Sequence, residues 1–177
     1  MKFCSQCGHS VSRRIPEGDD RLRHVCDHCH TIHYHNPLIV VGCLPVYRER
    51  ILLCRRAIEP RRGCWTLPAG YMENGETTLE GARRETWEEA GAEVRDQVLY
   101  RLYDLPHVNQ VYMFYRAVLP APVFSAGEES LEVRLFDEGE LPWQQLAFPV
   151  VRQVLEDYLG DRTTGQFRVQ VARVPPM

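Results

Sequence analysis

The chain has 177 residues with 44% hydrophobic and 25% charged content, which is typical of a soluble globular protein. Its length suits one domain of about 130–150 residues with a small appendage. A formal net charge of −3 argues against a nucleic-acid surface held by phosphate attraction, and the lack of an apolar run of about 18 residues argues against a membrane span.

Residues 1–36 contain two CxxC pairs separated by 18 residues. Four thiolates at this spacing can close a tetrahedral zinc site, which folds a segment too short for a core of its own. We favour a zinc site with four cysteine ligands, and we interpret it as structural because a filled site leaves no position for substrate. Replacement of one thiolate by a nearby histidine is the alternative, but we interpret these histidines as exposed polar residues. The proposed ligands are Cys4, Cys7, Cys26 and Cys29, and the histidines are His9, His24, His28 and His30.

The cysteine count and the start of the chain indicate a compartment. Seven cysteines, with four in CxxC pairs, favour metal binding in a reducing environment over a disulfide framework. The first seven residues carry no apolar signal segment. We therefore expect a cytoplasmic protein.

A β-hairpin is expected after Asn36-Pro37. Leu38–Tyr47 is largely apolar and β-rich, which predicts a buried strand, and Ile51–Arg56 follows a charged turn as its partner. Cys43 and Cys54 lie within these strands, and we interpret them as small core residues.

The stretch from Gly70 to Ala92 predicts a helix with clear ends. Thr77 and Glu80 have the spacing of a capping box, and Gly91 stands where a helix turns left-handed, so the helix runs from about Thr78 to Ala90. At 100° per residue one narrow face should pack on a core. That face comprises Leu79, Ala82, Thr86 and Ala90.

The same helix carries Glu85, Glu88 and Glu89 within an arc of roughly 100°. A solvated face is the usual meaning of a charge run, but like charges so close repel one another, and a divalent cation removes that objection. Oxygen ligands suit Mg²⁺ or Mn²⁺. A backbone carbonyl in the stretch that leads into Gly70, that of Ala69, can complete the site.

The remaining elements predict an α/β fold. Strands are expected at Glu93–Asp104, Val108–Leu119 and Leu131–Phe136, a second helix at Pro149–Leu159, and a short strand at Phe167–Val171. Strands on both sides of a helix, closed by a second helix, give an α/β/α sandwich with a mixed sheet. We divide the chain into a zinc ribbon at 1–36, a catalytic domain at 37–160 and a C-terminal arm at 161–177.

The fixed residues of the central stretch resemble the Nudix box. They are Gly70, Glu76, Arg84-Glu85, Glu88-Glu89 and Gly91, separated by five, seven, two and one residues. Thr86 departs from the family, which usually has an aliphatic residue there, and its hydroxyl can bond back to the carbonyl of Ala82. The resemblance implies the Nudix α/β/α fold, Glu85 and Glu89 as principal metal ligands with Glu88 as a third, and an ion pair between Arg84 and Glu76.

Nudix enzymes often recruit a further glutamate from a loop after the box. Glu129 is the best match, and its neighbours Glu128 and Glu132 have the same chemistry. A solvated loop carboxylate is the alternative interpretation. With bound metal, such a cluster suits pyrophosphate hydrolysis, since metal ions neutralise phosphate oxygens and lower the pKa of water while a carboxylate accepts its proton.

The chain as a whole resembles the FAD/ADP-ribose pyrophosphatase branch of the family. The shared motifs are VVGC, LLCRR, WTLPAGY and RETWEEAG, together with the zinc ribbon. The resemblance implies metal-dependent hydrolysis of FAD or ADP-ribose to AMP and the other monophosphate. NADH pyrophosphatase is an alternative, although the Ser-Gln-Pro-Trp-Pro-Phe-Pro stretch of that branch is missing. A ligand sensor whose ribbon binds nucleic acid or protein is a second alternative, but such members tend to lose box glutamates.

Substrate contacts are expected outside the box. Tyr34 matches a substrate-contacting tyrosine of the NADH pyrophosphatases, although packing of the ribbon is an equal alternative. One of Arg55 and Arg56 should face the substrate phosphates, because adjacent strand residues point to opposite sides. Phe3, Tyr103 and Phe148 are further aromatic candidates. A homodimer, with the ribbon as a dimerisation or lid element, is expected by analogy.

Overall fold

The computed structural model describes residues 1–176 and divides the chain after Asn36 into two compact units. The small unit is a three-stranded antiparallel sheet of β1 (Val11–Arg14), β2 (Arg23–Cys26) and β3 (Ile32–His33) in that order. Its buried hydrophobic residues are Cys4, Val25 and Cys26, so the unit has almost no apolar core of its own.

The large unit, from Pro37 onward, contains an eight-stranded mixed sheet and two α-helices. The sheet order is β10-β5-β4-β9-β8-β11, with β6 on β5 and β7 on β4; the β4–β9 and β8–β11 pairs are parallel. The elements are β4 (Leu38–Tyr47), β5 (Arg50–Arg56), β6 (Trp65–Thr66), β7 (Ala69–Tyr71), α1 (Thr78–Ala90), β8 (Arg95–Leu105), β9 (Gln110–Val118), β10 (Ser130–Phe136), α2 (Pro149–Thr164) and β11 (Gln170–Arg173).

The helices lie on opposite faces of the sheet. Along β5, Leu52 and Cys54 belong to the core that contains α1, whereas Ile51 and Leu53 belong to the core that contains α2. This alternation follows from the period of two in a β-strand. The predicted α/β/α sandwich with a mixed sheet is therefore confirmed, and Cys54 is a buried core residue as expected.

Helix α1 has the predicted bounds and caps. The Thr77 hydroxyl accepts a hydrogen bond from the Glu80 amide at 3.2 Å, and the Glu80 carboxylate accepts one from the Thr77 amide at 2.8 Å. Gly91 ends the helix with a φ of 54°, in the left-handed region. The Thr86 hydroxyl donates to the Ala82 carbonyl at 2.7 Å, as the sequence suggested for a threonine on the core face.

The predicted core face of α1 is wrong at Leu79, which is 37% exposed. Leu79 lies in the first turn, and small residues deeper in the helix make the close contacts instead. A Cβ at Gly81 would lie 2.8 Å from Val41 Cγ2, so the helix approaches β4 too closely for a larger side chain there. Glu89 is also buried on this helix, although it was expected only on the metal face.

The end of the chain differs from its predicted boundaries. Helix α2 continues through Gly160 to Thr164 and is terminated by Gly165, whose φ is 68°. The last strand is Gln170–Arg173, slightly later than predicted, and it pairs in parallel with β8. The predicted boundary after residue 160 thus falls inside a helix, and the segment beyond it contributes a strand to the large unit.

Candidate active site

A cavity of about 940 Å³ lies in the large unit beside the glutamate face of α1. Its walls come from β4, the end of β5 with the loop after it, β7, α1, the end of β8 with the turn after it, β9, the loop before β10 and the start of α2. Residues distant in sequence therefore meet here because the sheet brings these elements together. Among the sequence-predicted residues, the lining includes Arg56, Ala69, Arg84, Glu85, Glu88, Glu89 and Glu129.

Arg84 joins the acidic residues of the box. Its guanidinium contacts the carboxylates of Glu76 at 2.9 Å, Glu85 at 2.7 Å and Glu88 at 3.0 Å. It also donates to the Tyr71 carbonyl at 3.1 Å. The hydrogen bonds from Arg84 lower the pKa of Glu76, and the expected Arg84–Glu76 ion pair is present.

Glu89 is a buried carboxylate without a partner for one of its oxygens. It is 6% exposed, and within residues 1–176 its Oε2 atom accepts no hydrogen bond. Burial and, secondarily, the charge of Glu85 raise the pKa of Glu89 to about 8. Burial also raises the pKa of Glu85, although Arg84 opposes that shift. The buried Glu89, with an unpaired oxygen, and the partly buried Glu85 repel each other, so a cation would stabilise this site.

The backbone leaves space for these carboxylates. A Cβ at Gly70 would lie 2.3 Å from Glu85 Oε2, so a side chain at this position would have to displace the Glu85 carboxylate. The neighbouring residue, Ala69, also lines the cavity. An all-oxygen donor set of this kind fits Mg²⁺ or Mn²⁺. The candidate donors, all of which line the cavity, are the carboxylates of Glu85, Glu88, Glu89 and Glu129 with the backbone of Ala69.

The structure separates the three candidate glutamates near β10. Glu128 and Glu129 both line the cavity, whereas Glu132 lies in β10 and pairs with Arg55 at 3.6 Å. The charge of Glu129 also contributes to the raised pKa values of Glu85 and Glu89. Glu129 therefore lies near the box glutamates, and Glu132 does not join them in the lining.

The two adjacent arginines of β5 have different surroundings. The Arg56 side chain lines the cavity, with its guanidinium 5.2 Å from the ring centroid of Phe148, and its Nε donates to the Pro60 carbonyl at 2.9 Å. The Arg55 Nε donates to the Gly63 carbonyl at 3.0 Å, and Arg55 is absent from the lining. Of the two arginines, only Arg56 therefore lines the cavity.

Part of the cavity wall is apolar or aromatic. Phe148 contributes to it from the residue before α2, and Tyr112 from β9. Tyr103, another aromatic candidate, is instead a core residue whose hydroxyl donates to Asp157. The sequence did not predict several of the lining residues, because they occupy isolated positions in turns and strands and belong to no motif. They are Leu105, His107, Val108, Gln110 and Val150.

The four predicted zinc ligands cluster in the small unit. Their sulfur atoms lie within 4.8 Å of one another, with separations of 3.4 Å for Cys7–Cys26 and Cys7–Cys29 and 3.7 Å for Cys4–Cys29. Thiolates at about 2.3 Å from a tetrahedral zinc ion lie about 3.8 Å apart, so the cluster fits zinc.

The histidines near the cysteine cluster differ from one another. His9 and His28 are exposed and stack on each other with ring centroids 3.9 Å apart. His33, which the sequence did not single out, places its Nε2 3.3 Å from Cys4 Sγ. Such a contact can orient a metal-binding thiolate. It depends on the pairing of β2 with β3, which the spacing of the cysteines does not reveal.

Two of the proposed substrate contacts, Tyr34 and Phe3, belong to the small unit. Tyr34 is 62% exposed, with the guanidinium of Arg23 5.1 Å from its ring centroid. Phe3 is also exposed and forms an isolated bridge with Ser10. Contact of Tyr34 with substrate therefore stays a prediction.

No helix within residues 1–176 combines the length and the apolar character that a membrane crossing requires.

The chain is similar to known proteins along most of its length. The Nudix N-terminal zinc-ribbon model matches residues 2–35, and the NUDIX domain model matches residues 36–158. A crystal structure of a NUDIX hydrolase from Nitrosomonas europaea is 54% identical, with a TM-score of 0.94, and the match covers 98% of this chain and 99% of that one.

Two curated relatives carry more specific names. An ADP-ribose pyrophosphatase of Methanocaldococcus jannaschii is 32% identical over 132 residues, which is 71% of this chain and 75% of that protein. An NAD-capped RNA hydrolase NudC of Salmonella typhi is 29% identical over 167 residues, covering 88% of this chain but only 59% of that protein. The NUDIX domain model matches more than half of the present chain, and this chain therefore belongs to the Nudix hydrolase family.

Proposed function

We propose that the protein hydrolyses the pyrophosphate bond of ADP-ribose or FAD with Mg²⁺ or Mn²⁺, releasing AMP and the other monophosphate. The observation that carries this proposal is the buried, partly unpaired Glu89 beside Glu85 in a cavity that also has aromatic walls. A carboxylate cluster suits the phosphate end of such a substrate, and the rings suit a nucleobase.

The residues around the cavity would have different roles in the reaction. A bound Mg²⁺ or Mn²⁺ would neutralise phosphate oxygens and lower the pKa of the attacking water. Glu85, Glu88 and Glu89 would hold the metal, and Arg84 keeps Glu85 and Glu88 at a fixed separation. Glu129 would complete the metal site or accept the proton of the water.

The other walls of the cavity support a substrate with a base. The volume of about 940 Å³ lies near the upper end for small-molecule sites, which suits a dinucleotide-sized ligand. Phe148 offers an aromatic face for stacking, and Arg56 brings a positive charge to a cavity rich in carboxylates. Arg56 would thus contact the substrate phosphates. The relative named ADP-ribose pyrophosphatase supports ADP-ribose as a substrate.

NADH, or another NAD-containing substrate, is the second candidate. The similarity to the NudC relatives favours it, because that match covers 88% of this chain. A ligand sensor would not need a complete set of box carboxylates, whereas here Glu85, Glu88 and Glu89 all line the cavity. We therefore retain hydrolysis as the function, and the products formed from each dinucleotide will identify the preferred substrate.

A product analysis tests this function. The purified protein is incubated with FAD, ADP-ribose, NADH and nucleoside triphosphates at equal concentration with Mg²⁺ or Mn²⁺. We expect FMN and AMP from FAD, or ribose 5-phosphate and AMP from ADP-ribose, and no turnover by Glu89→Gln. A preference for nucleoside triphosphates, or equal turnover by the variant, would refute the proposal.

The sequence also predicts a structural zinc ion, a cellular location and an oligomeric state. We propose that the four clustered cysteines hold a structural zinc ion, and a cytoplasmic location would keep these thiols reduced. The homodimer and the absence of nucleic-acid binding are tested by sedimentation and by a gel shift with RNA at moderate salt. Tight, salt-sensitive RNA binding would favour the sensor alternative.

A further inference from the structure

The loop between β9 and β10 returns to the C-terminal end of α1. The Ser125 amide donates to the Ala90 carbonyl at 2.8 Å, and the Gly127 amide donates to the Glu89 carbonyl at 3.1 Å. The last carbonyls of a helix have no partner within the helix, so this loop satisfies two of them. One of the two belongs to a residue of the proposed metal site.

Gly127 allows the approach because it has no side chain. A Cβ at this position would lie 1.7 Å from the carbonyl oxygen of Glu88, an impossible contact with backbone rather than with a mobile side chain. The φ of Gly127 is outside the left-handed region, so the requirement is for space and not for an unusual conformation. A larger residue would have to lift the loop from the helix.

The same loop is anchored again two residues later. The Glu129 carbonyl accepts a hydrogen bond from the Ala57 amide at 2.8 Å, just after β5, and the Ser130 amide donates to the Gly127 carbonyl at 3.1 Å. The backbone around Glu129 is thus attached to α1 on one side and to the end of β5 on the other. Its side chain lines the cavity with Glu85 and Glu89.

We infer that the segment Ser125–Gly127 is a clamp that positions Glu129 against the carboxylates of α1. The clamp acts entirely through backbone amides and the missing side chain of Gly127. Because its contacts hold the loop against the helix without a substrate, Glu129 is placed in advance of binding. Gly127 is a positioning residue for the proposed hydrolysis, since the inference rests on Glu129 acting there.

The proposed test replaces Gly127 and compares a matched glycine. In Gly127→Ala, kcat should fall about 10–100-fold because a displacement of about 1 Å can cost that much, while KM changes less than about threefold. Gly139→Ala is the control, since a Cβ there meets no atom within 4 Å, and it should leave kcat unchanged. A thermal unfolding midpoint near that of the wild type would show that Gly127→Ala still folds.

A double-mutant cycle shows whether the effect passes through Glu129. If the clamp acts only by placing this carboxylate, Gly127→Ala should cost nothing further in a Glu129→Gln background. Equal losses in both backgrounds, or wild-type kcat in Gly127→Ala, would refute the inference. Ser125→Pro, which removes one clamp amide without adding an atom beside Glu88, serves in the same cycle if Gly127→Ala does not fold.

Amide hydrogen exchange separates this inference from the proposed function. The Gly127 amide should exchange slowly in the wild type, and the Ser125 amide should exchange slowly there but faster in Gly127→Ala, whatever the substrate is. Slow exchange without any pyrophosphate hydrolysis would contradict the proposed function alone. Fast exchange of both amides in an active wild-type enzyme would contradict the clamp alone.

Discussion

The guanidinium of Arg84 contacts the carboxylate of Glu76 at 2.9 Å, and this pair connects the turn before α1 to the middle of the helix. The other guanidinium nitrogen atoms are used as well, because Arg84 also contacts Glu85 and Glu88 and donates to the Tyr71 carbonyl. A single planar cation therefore fixes the turn and two proposed metal ligands at once. Only a forked donor group can make these contacts together.

The first prediction concerns Arg84→Lys. An ammonium group keeps the charge but cannot reach all four partners, so we expect unfolding free energy to fall by about 1.5–3 kcal/mol and kcat to fall at least about tenfold. Denaturant unfolding and steady-state kinetics measure the two effects. Arg83→Lys, at an exposed neighbouring position, should change neither. Wild-type values for Arg84→Lys would show that charge alone is sufficient.

The box could be predicted from sequence because its signals are local. The capping residues, the left-handed glycine and the spacing of the glutamates all lie within one helix and its preceding turn, and the structure has these features where expected. The rest of the cavity depends on contacts between distant segments. Arg56, Leu105 and Phe148 meet only because the sheet order places their elements together, and no pattern along the chain records that order.

Two errors in the predicted elements have a similar origin. The second helix was predicted to end at Leu159, but it continues to Thr164, and Asp161 in the added turn pairs with buried Arg101. Leu79 was assigned to the core by periodicity, although its position in the first turn leaves it exposed. Tertiary contacts decide both cases, and a helical wheel does not contain them.

The cysteine cluster predicts a zinc content of about one ion per chain. Cys26→Ser should lower that content sharply and unfold the small unit, because this unit has little apolar core and depends on the metal. Mass spectrometry under native conditions and elemental analysis provide the measurement. Cys64→Ser is the control, since Cys64 lies outside the cluster. Full zinc content in Cys26→Ser would remove this residue from the ligand set.

Glu89→Gln should preserve or raise the stability of the metal-free protein but lower turnover when Mg²⁺ is present. Burial raises the pKa of Glu89 to about 8, so near pH 7 the wild type must either protonate this carboxyl or bury its charge beside Glu85. Glutamine avoids both costs, and the metal-free variant should therefore be at least as stable as the wild type. Saturating Mg²⁺ should then stabilise the wild type, by about 2.7 kcal/mol at 100 times the dissociation constant, and stabilise the variant much less. Hydrolysis by the variant should fall at least about 100-fold. Equal stabilisation of both proteins by Mg²⁺ would exclude Glu89 as a ligand.

Phe148 should affect substrate binding more than chemistry. Stacking of a base on an aromatic ring contributes about 1–3 kcal/mol, so Phe148→Ala should raise KM about tenfold or more with little change in kcat. Steady-state kinetics with the preferred dinucleotide provide the measurement. Phe148→Tyr keeps an aromatic face and should preserve KM. A fall in kcat at constant KM would instead indicate that Phe148 supports Arg56 or the fold.

The last prediction concerns the buried Arg101, whose side chain is 2% exposed and whose guanidinium contacts Asp157 at 2.9 Å. Burial acts to raise the pKa of Asp157, but hydrogen bonds from Tyr103, Arg101 and Gln153 outweigh it and lower that pKa below its usual value of 3.8. The folded state therefore binds the proton more weakly than the unfolded state. The resulting stability is fully present well above pH 3.8 and is lost as the pH falls through the lower, folded-state pKa.

Asp157→Asn should remove this contribution and leave Arg101 with fewer partners, at a cost of about 3 kcal/mol near pH 7. The difference in unfolding free energy between the wild type and the variant should shrink as the pH falls below 3.8. At low pH the wild-type carboxyl is protonated and therefore neutral, like the asparagine amide. Denaturant unfolding at several pH values measures it. Glu156→Gln, which removes an exposed pair with Arg152, should cost less than about 1 kcal/mol. A difference that stays constant at low pH would show that the loss in Asp157→Asn comes from packing rather than from the charge.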